Sequence, residues 1–125
     1  MDDFLTSYFR FSGYIYPRLS VFVSPMSSDP LFVEYVTELL APLGYIRAKK
    51  MFGEYGLYCD EVFFALVCDS TLYFQIDSSI AKEFSELEPP YPGGKPAGKI
   101  TPDLLEDHDE LIRLARLSYQ YKKGK

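Results

Sequence analysis

The sequence predicts an α+β fold in which helices flank an antiparallel strand meander, in the order α-β-β-β-(β)-α-β-α. Three observations carry this. Between residues 45 and 77, short apolar runs are separated by polar breaks of two or three residues, as in strands joined by tight turns. Ser28-Asp29-Pro30 and Thr101-Pro102 each set a capping side chain just ahead of a proline, a common helix start. The apolar residues after each of these signals return at three- and four-residue spacing, which gives a helix one buried face. At 125 residues the chain has room for one ordinary domain.

The first helix carries Phe32, Val36, Leu39, Leu40 and Leu43 in line and is ended by Pro42 and Gly44. Tyr45 to Met51 reads as the first strand, and Gly53 and Gly56 mark a turn or bulge in the sequence that follows. Leu57-Tyr58-Cys59, Val62 to Cys68 and Leu72 to Asp77 continue the meander, broken by Asp60-Glu61 and Asp69-Ser70-Thr71. In the middle strand, regular alternation assigns Val62, Phe64, Leu66 and Cys68 to one face and Phe63, Ala65 and Val67 to the other. Both sets are apolar, so this strand belongs at the centre of the sheet. Ser78 to Leu87 is expected to be a short helix led by Asp77 or Ser78, with Ile80, Phe84 and Leu87 in register. Four prolines and three glycines between Glu88 and Gly98 impose a loop. Lys99-Ile100 reads as a short last strand. One long helix is expected from Pro102 to about Tyr121, with Leu104, His108, Leu111, Ile112, Ala115 and Tyr119 on its apolar face.

Residues 1–25 differ from the remainder. They hold seven aromatics but follow neither period for long, and Pro17 and Pro25 interrupt them. The expectation is an N-terminal extension, mobile or a mis-assigned start with Met26 as the true first residue rather than docked on the main domain, ahead of a single domain over 26–125.

Composition excludes several function classes. A net charge of −5 argues against a broad electrostatic grip on nucleic acid, although a local basic patch is compatible with it. Two cysteines are too few for a disulfide-built secreted scaffold. With a single histidine, they also fall short of a four-ligand Cys/His zinc site. Cys59 and Cys68 read as packed, reduced thiols. No apolar run reaches the roughly 20 residues of a membrane span, and Met1-Asp2-Asp3 carries the wrong charge for a secretory signal, so a cytoplasmic location is expected.

No catalytic, cofactor-binding or metal-ligating set emerges. His108 is placed by periodicity among apolar neighbours, where a structural imidazole is the plainer reading than a general base. The acidic residues Asp103, Glu106, Asp107, Asp109 and Glu110 are explained by the positive end of the helix dipole. The run from Gly93 to Lys99 lacks the Gly-Lys-Ser/Thr ending of a phosphate loop, and Pro96 removes a backbone donor. Two surfaces remain as candidates: Met51, Phe52, Gly53, Tyr55 and Gly56 for recognition, and the basic cluster Arg47, Lys49 and Lys50. If the latter lies in a strand, Arg47 and Lys49 share a face, and a charge-protected sheet edge is its plainer meaning.

Taken together, Met51-Phe52-Gly53-Glu54-Tyr55-Gly56-Leu57-Tyr58, Val62-Phe63-Phe64-Ala65-Leu66-Val67 and Leu104-Leu105-Glu106-Asp107-His108-Asp109-Glu110-Leu111 resemble the N-terminal domain of the TfoX/Sxy competence regulators. The resemblance covers about Ser28 to Tyr119 in matching order and spacing. It implies a two-layer α+β sandwich, an antiparallel sheet with helices packed on one side, of the type also seen in secretion chaperones. It further implies a bacterial cytoplasmic protein and a protein partner such as a transcription regulator. The named regulators carry a second, helical domain often regarded as the DNA-contacting part, which this chain is expected to lack. The family's usual Asp-Gly turn is Asp60-Glu61 here, and glutamate resists the left-handed backbone of a tight hairpin.

The function expected on these grounds is a non-enzymatic regulatory or adaptor domain acting through protein–protein contacts. Two alternatives stand beside it. One is weak direct DNA binding through Arg47, Lys49, Lys50 and the Lys122–Lys125 tail; the other is a small-ligand binder or enzyme centred on His108.

Overall fold

A computed structural model describes residues 28–51 and 54–124. Helix α1 (Pro30–Leu39) opens on Asp29, whose side chain accepts from the Leu31 amide, with proline in its first turn. A 3₁₀ turn, Ala41–Leu43, follows it. Strands β1 (Ile46–Met51), β2 (Glu54–Cys59), β3 (Val62–Cys68) and β4 (Thr71–Phe74) form the meander. Strands β5 (Leu87–Glu88) and β6 (Ala97–Lys99) complete a sheet in the order β1-β2-β3-β4-β6-β5, every pairing antiparallel. Helices α2 (Pro102–Glu106) and α3 (His108–Lys123) close the described chain. The fold is α+β, as the strand and helix signals predict.

One core explains the arrangement. Phe32, Val33 and Val36 of α1 and Leu111, Leu114 and Ala115 of α3 pack with Leu57, Phe64, Val67, Leu72 and Phe74 of the sheet. A second, smaller cluster of Leu66, Cys68, Tyr73 and Ala97 contains no helix residue and belongs to the opposite face. Burial of the large side chains in the first cluster, worth about 1.5–3 kcal/mol each, makes that face the main source of stability.

Four details depart from the sequence reading. The alternation in β3 is broken: Leu57 pairs with Ala65 but Tyr58 pairs with Phe63, so Phe64 is the extra residue of a β-bulge. Phe64 therefore points into the core, stacked on Phe74 at 5.9 Å, on the same face as Ala65 and Val67, while Phe63, Leu66 and Cys68 share the other face. The buried Ser118 hydroxyl holds this place, lying 2.9 Å from the Phe64 carbonyl and 2.6 Å from that of Gln75.

The helix expected over Ser78–Leu87 is only a turn and a 3₁₀ segment, Ala81–Glu83, because the chain beyond is drawn into pairing with β6. Phe84 covers Gly98 there, where an added Cβ would lie 2.3 Å from its ring. The long C-terminal helix is interrupted at Asp107, which ends α2 and whose carboxylate then accepts from the Glu110 amide to start α3. Restarting the helix rotates its buried stripe to Leu111, Leu114, Ala115 and Ser118, and His108 is exposed at the first position of α3, away from the core.

The fourth departure is the hairpin at Asp60-Glu61. Both residues take positive φ, +49° and +69°, and the tight turn forms without glycine. Local bonds offset the strain: Asp60 Oδ1 accepts from the Tyr45 amide, and Glu61 is gripped by Arg47. Asp69 and Ser70 repeat the conformation in the next hairpin, with Ser70 Oγ accepting from the Asp29 amide.

Candidate functional site

The sheet face away from the helices contains the best-defined recognition geometry. Cross-strand pairing places Arg47 opposite Tyr58, Lys49 opposite Gly56 and Met51 opposite Glu54, all on this face. The Arg47 guanidinium lies over the Tyr58 ring at 4.6 Å, and Tyr58 lies 5.2 Å from Phe63. Gly56 provides the space that this strip uses: an added Cβ would lie 2.5 Å from Met51 Cε and 2.9 Å from Phe63. The result is a cation–aromatic–aromatic row, half-buried, running from the sheet edge toward its centre.

Arg47 is not a free charge. Its Nη2 and Nε donate to the two oxygens of Glu61 at 2.7 and 3.2 Å. That hydrogen bond raises the guanidinium's already high pKa and lowers that of the Glu61 carboxyl. Lys49 and Lys50 are exposed and make no ion pair with any described residue. Lys50 pairs opposite Tyr55 on the helix side, so the basic cluster divides across two faces.

The other end of the same face is closed. Tyr73 donates its hydroxyl to Glu88 at 3.2 Å, and Lys99 reaches Glu88 and Glu86 at 3.5 and 4.0 Å. Burial, reinforced by the Glu88 charge, pushes the Tyr73 phenol up to about 12. Burial likewise pushes the Cys68 thiol up to about 11, and it raises that of Cys59, so neither sulfur is an activated thiolate at neutral pH.

The proposed recognition set does not form one surface. Met51 and Gly56 lie on the outer face, Tyr55 packs against the main core on the helix side, and Phe52 and Gly53 lie outside the described residues. Tyr58 and Phe63 carry no site signal in the sequence, because a bulge is needed to set Phe63 beside Tyr58. The expected boundary at residue 25 also falls outside the described residues.

Elsewhere the polar groups serve local structure. Arg113 bridges Glu110 and Glu83 at 2.8 and 3.1 Å. Asp77, in an open groove of about 490 Å³ near the end of α3, accepts from the Ser79 hydroxyl and amide, and those bonds lower its pKa. Among the described residues no group of three or more His, Cys, Asp and Glu side chains is placed to hold a metal ion. None of the described helices is long and apolar enough to cross a membrane.

Comparison with known proteins completes the picture. An uncharacterized 12.7 kDa protein in trpE 5'region from Spirochaeta aurantia is 32% identical over 97 residues, covering 74% of this chain and 82% of that protein. A family model for the TfoX N-terminal domain matches residues 38–121, a span that includes the whole sheet, the Arg47–Tyr58–Phe63 row and nearly all of α3. The chain belongs to the TfoX N-terminal domain family.

Proposed function

We propose that the domain is a non-enzymatic regulatory adaptor of the cytoplasm that acts on transcription by binding a larger protein regulator. The observation that carries this reading is the division of labour between the two sheet faces. Described helices fill one face, while the β1–β3 end of the other carries a row of cation and aromatic rings that no described helix covers. Aromatic and arginine side chains are the usual anchors of protein interfaces. Family membership and the pairing of perturbed ionisable groups with immediate structural partners support the same reading.

A photo-crosslinking amino acid introduced at Tyr58, and separately at the exposed Glu34 of α1, tests it in the native cell. A discrete protein adduct from position 58 and none from position 34 is the expected result. No protein adduct from the sheet face would remove the proposal.

A further inference from the structure

The geometry points to the edge of β1 that no described strand pairs with as the docking site for an extended acidic segment of a partner protein, added to the sheet as a further strand. This inference rests on the adaptor reading and specifies the partner's chemistry.

Strand β1 is the terminal strand of the described sheet, bonded only to β2. It is six residues long, whereas the strand at the opposite margin, β5, has two. A long open edge offers backbone donors and acceptors to an incoming strand, and alternating side chains then read its sequence. Lys49 and Lys50 project to opposite faces from the middle of this edge, exposed and without a carboxylate partner among the described residues. Adjacent acidic residues on an added strand would meet one lysine on each face. Two residues from Lys49, on the same face, Met51 and the Arg47–Tyr58 stack supply apolar contact for a flanking aliphatic side chain.

Charge decides among occupants. A second copy paired antiparallel about Lys49 or about Lys50 would set that lysine opposite its own counterpart, and like charges directly opposite in a sheet are destabilising. Nucleic acid is disfavoured because the chain's net charge is −5 and Arg47 is already neutralised by Glu61. An acidic segment gains from the edge lysines and meets repulsion over the rest of this acidic surface, which fixes where it lands.

The full chain is titrated into a short fluorescein-labelled peptide of alternating valine and threonine with two adjacent glutamates at its centre. A matched peptide with lysines in their place and a labelled oligo-dT strand serve as controls. The expected result is binding of the glutamate peptide that weakens as salt rises, with amide chemical-shift changes concentrated in β1 and no binding of the lysine peptide. The double variant Lys49→Glu/Lys50→Glu, whose thermal melt is expected to match the parent, should weaken the glutamate peptide roughly tenfold and admit the lysine peptide. Failure of the glutamate peptide to bind, shifts confined to other elements, indifference to the charge reversal, or tighter binding of oligo-dT at β1 would each overturn the inference. Protein adducts at position 58 alongside any of these failures would leave the adaptor reading standing with a different partner chemistry.

Discussion

The two faces of the sheet are built from the same strands but hold their residues by different means. On the helix side Phe64, Leu57, Leu72 and Phe74 are wholly buried beneath α1 and α3. On the other side Tyr58, Phe63 and Leu66 are half-buried and held by cross-strand contacts, a tilted ring pair and the Arg47–Glu61 ion pair over Tyr58. Stability is therefore concentrated on one face, and the other can vary in chemistry at small cost to the fold. Surfaces with this freedom are where recognition residues accumulate.

Substituting the adjacent phenylalanines separates the faces most sharply. Phe64→Ala should cost about 3–5 kcal/mol and Phe63→Ala only about 1 kcal/mol, read from denaturant midpoints. Equal losses would mean that the outer face is a second core. Ser118→Ala should cost about 1–3 kcal/mol, since it removes the hydroxyl that lies against the Phe64 and Gln75 carbonyls where α3 meets the bulge. A loss within a few tenths would show the bulge to be held by packing alone.

Alkaline titration probes the closed end of the outer face. The Tyr73 phenol, ordinarily near 10, is pushed up to about 12 in the folded chain. Below pH 10 both states keep the proton; above it the unfolded chain releases it first, so stability falls as pH rises from 10 toward 12. The drop from Tyr73 should be roughly 2 kcal/mol, and Tyr73→Phe should remove that part, leaving a comparable fall from Cys68, whose thiol is raised from 9.0 to about 11. The smallest effect is expected at the turns that link the strands. Asp69→Gly relieves a positive φ of +52° and should stabilise by up to about 1 kcal/mol, seen as a modest rise in melting temperature.

The sequence made the strands legible because each was bounded by polar breaks, and it made α1 legible because Asp29-Pro30 marks its start. It hid the bulge for a physical reason: every residue from Val62 to Cys68 is apolar, so hydropathy could not reveal a one-residue shift. The break between α2 and α3 did have a signal, since Asp107-x-x-Glu110 has the acid-at-fourth-place spacing of a helix start. The Ser78–Leu87 helix failed because local spacing was overruled by strand pairing at Leu87 and by the seat that Gly98 gives Phe84. Of the candidate site, the shared face of Arg47 and Lys49 is legible from strand alternation. Tyr55 takes the packing role that its string also allows, because successive residues of a strand face opposite ways.

The extra residue at Phe64 acts as a phase change in the pleat. Chain preceding it and chain following it are read in opposite parity, so inward and outward positions in β3 are set by one insertion as much as by side-chain hydropathy. Flattening the bulge with Phe64 retained would exchange interior for exterior along half a strand with no change in composition, whereas deleting Phe64 would leave every neighbour on its present face.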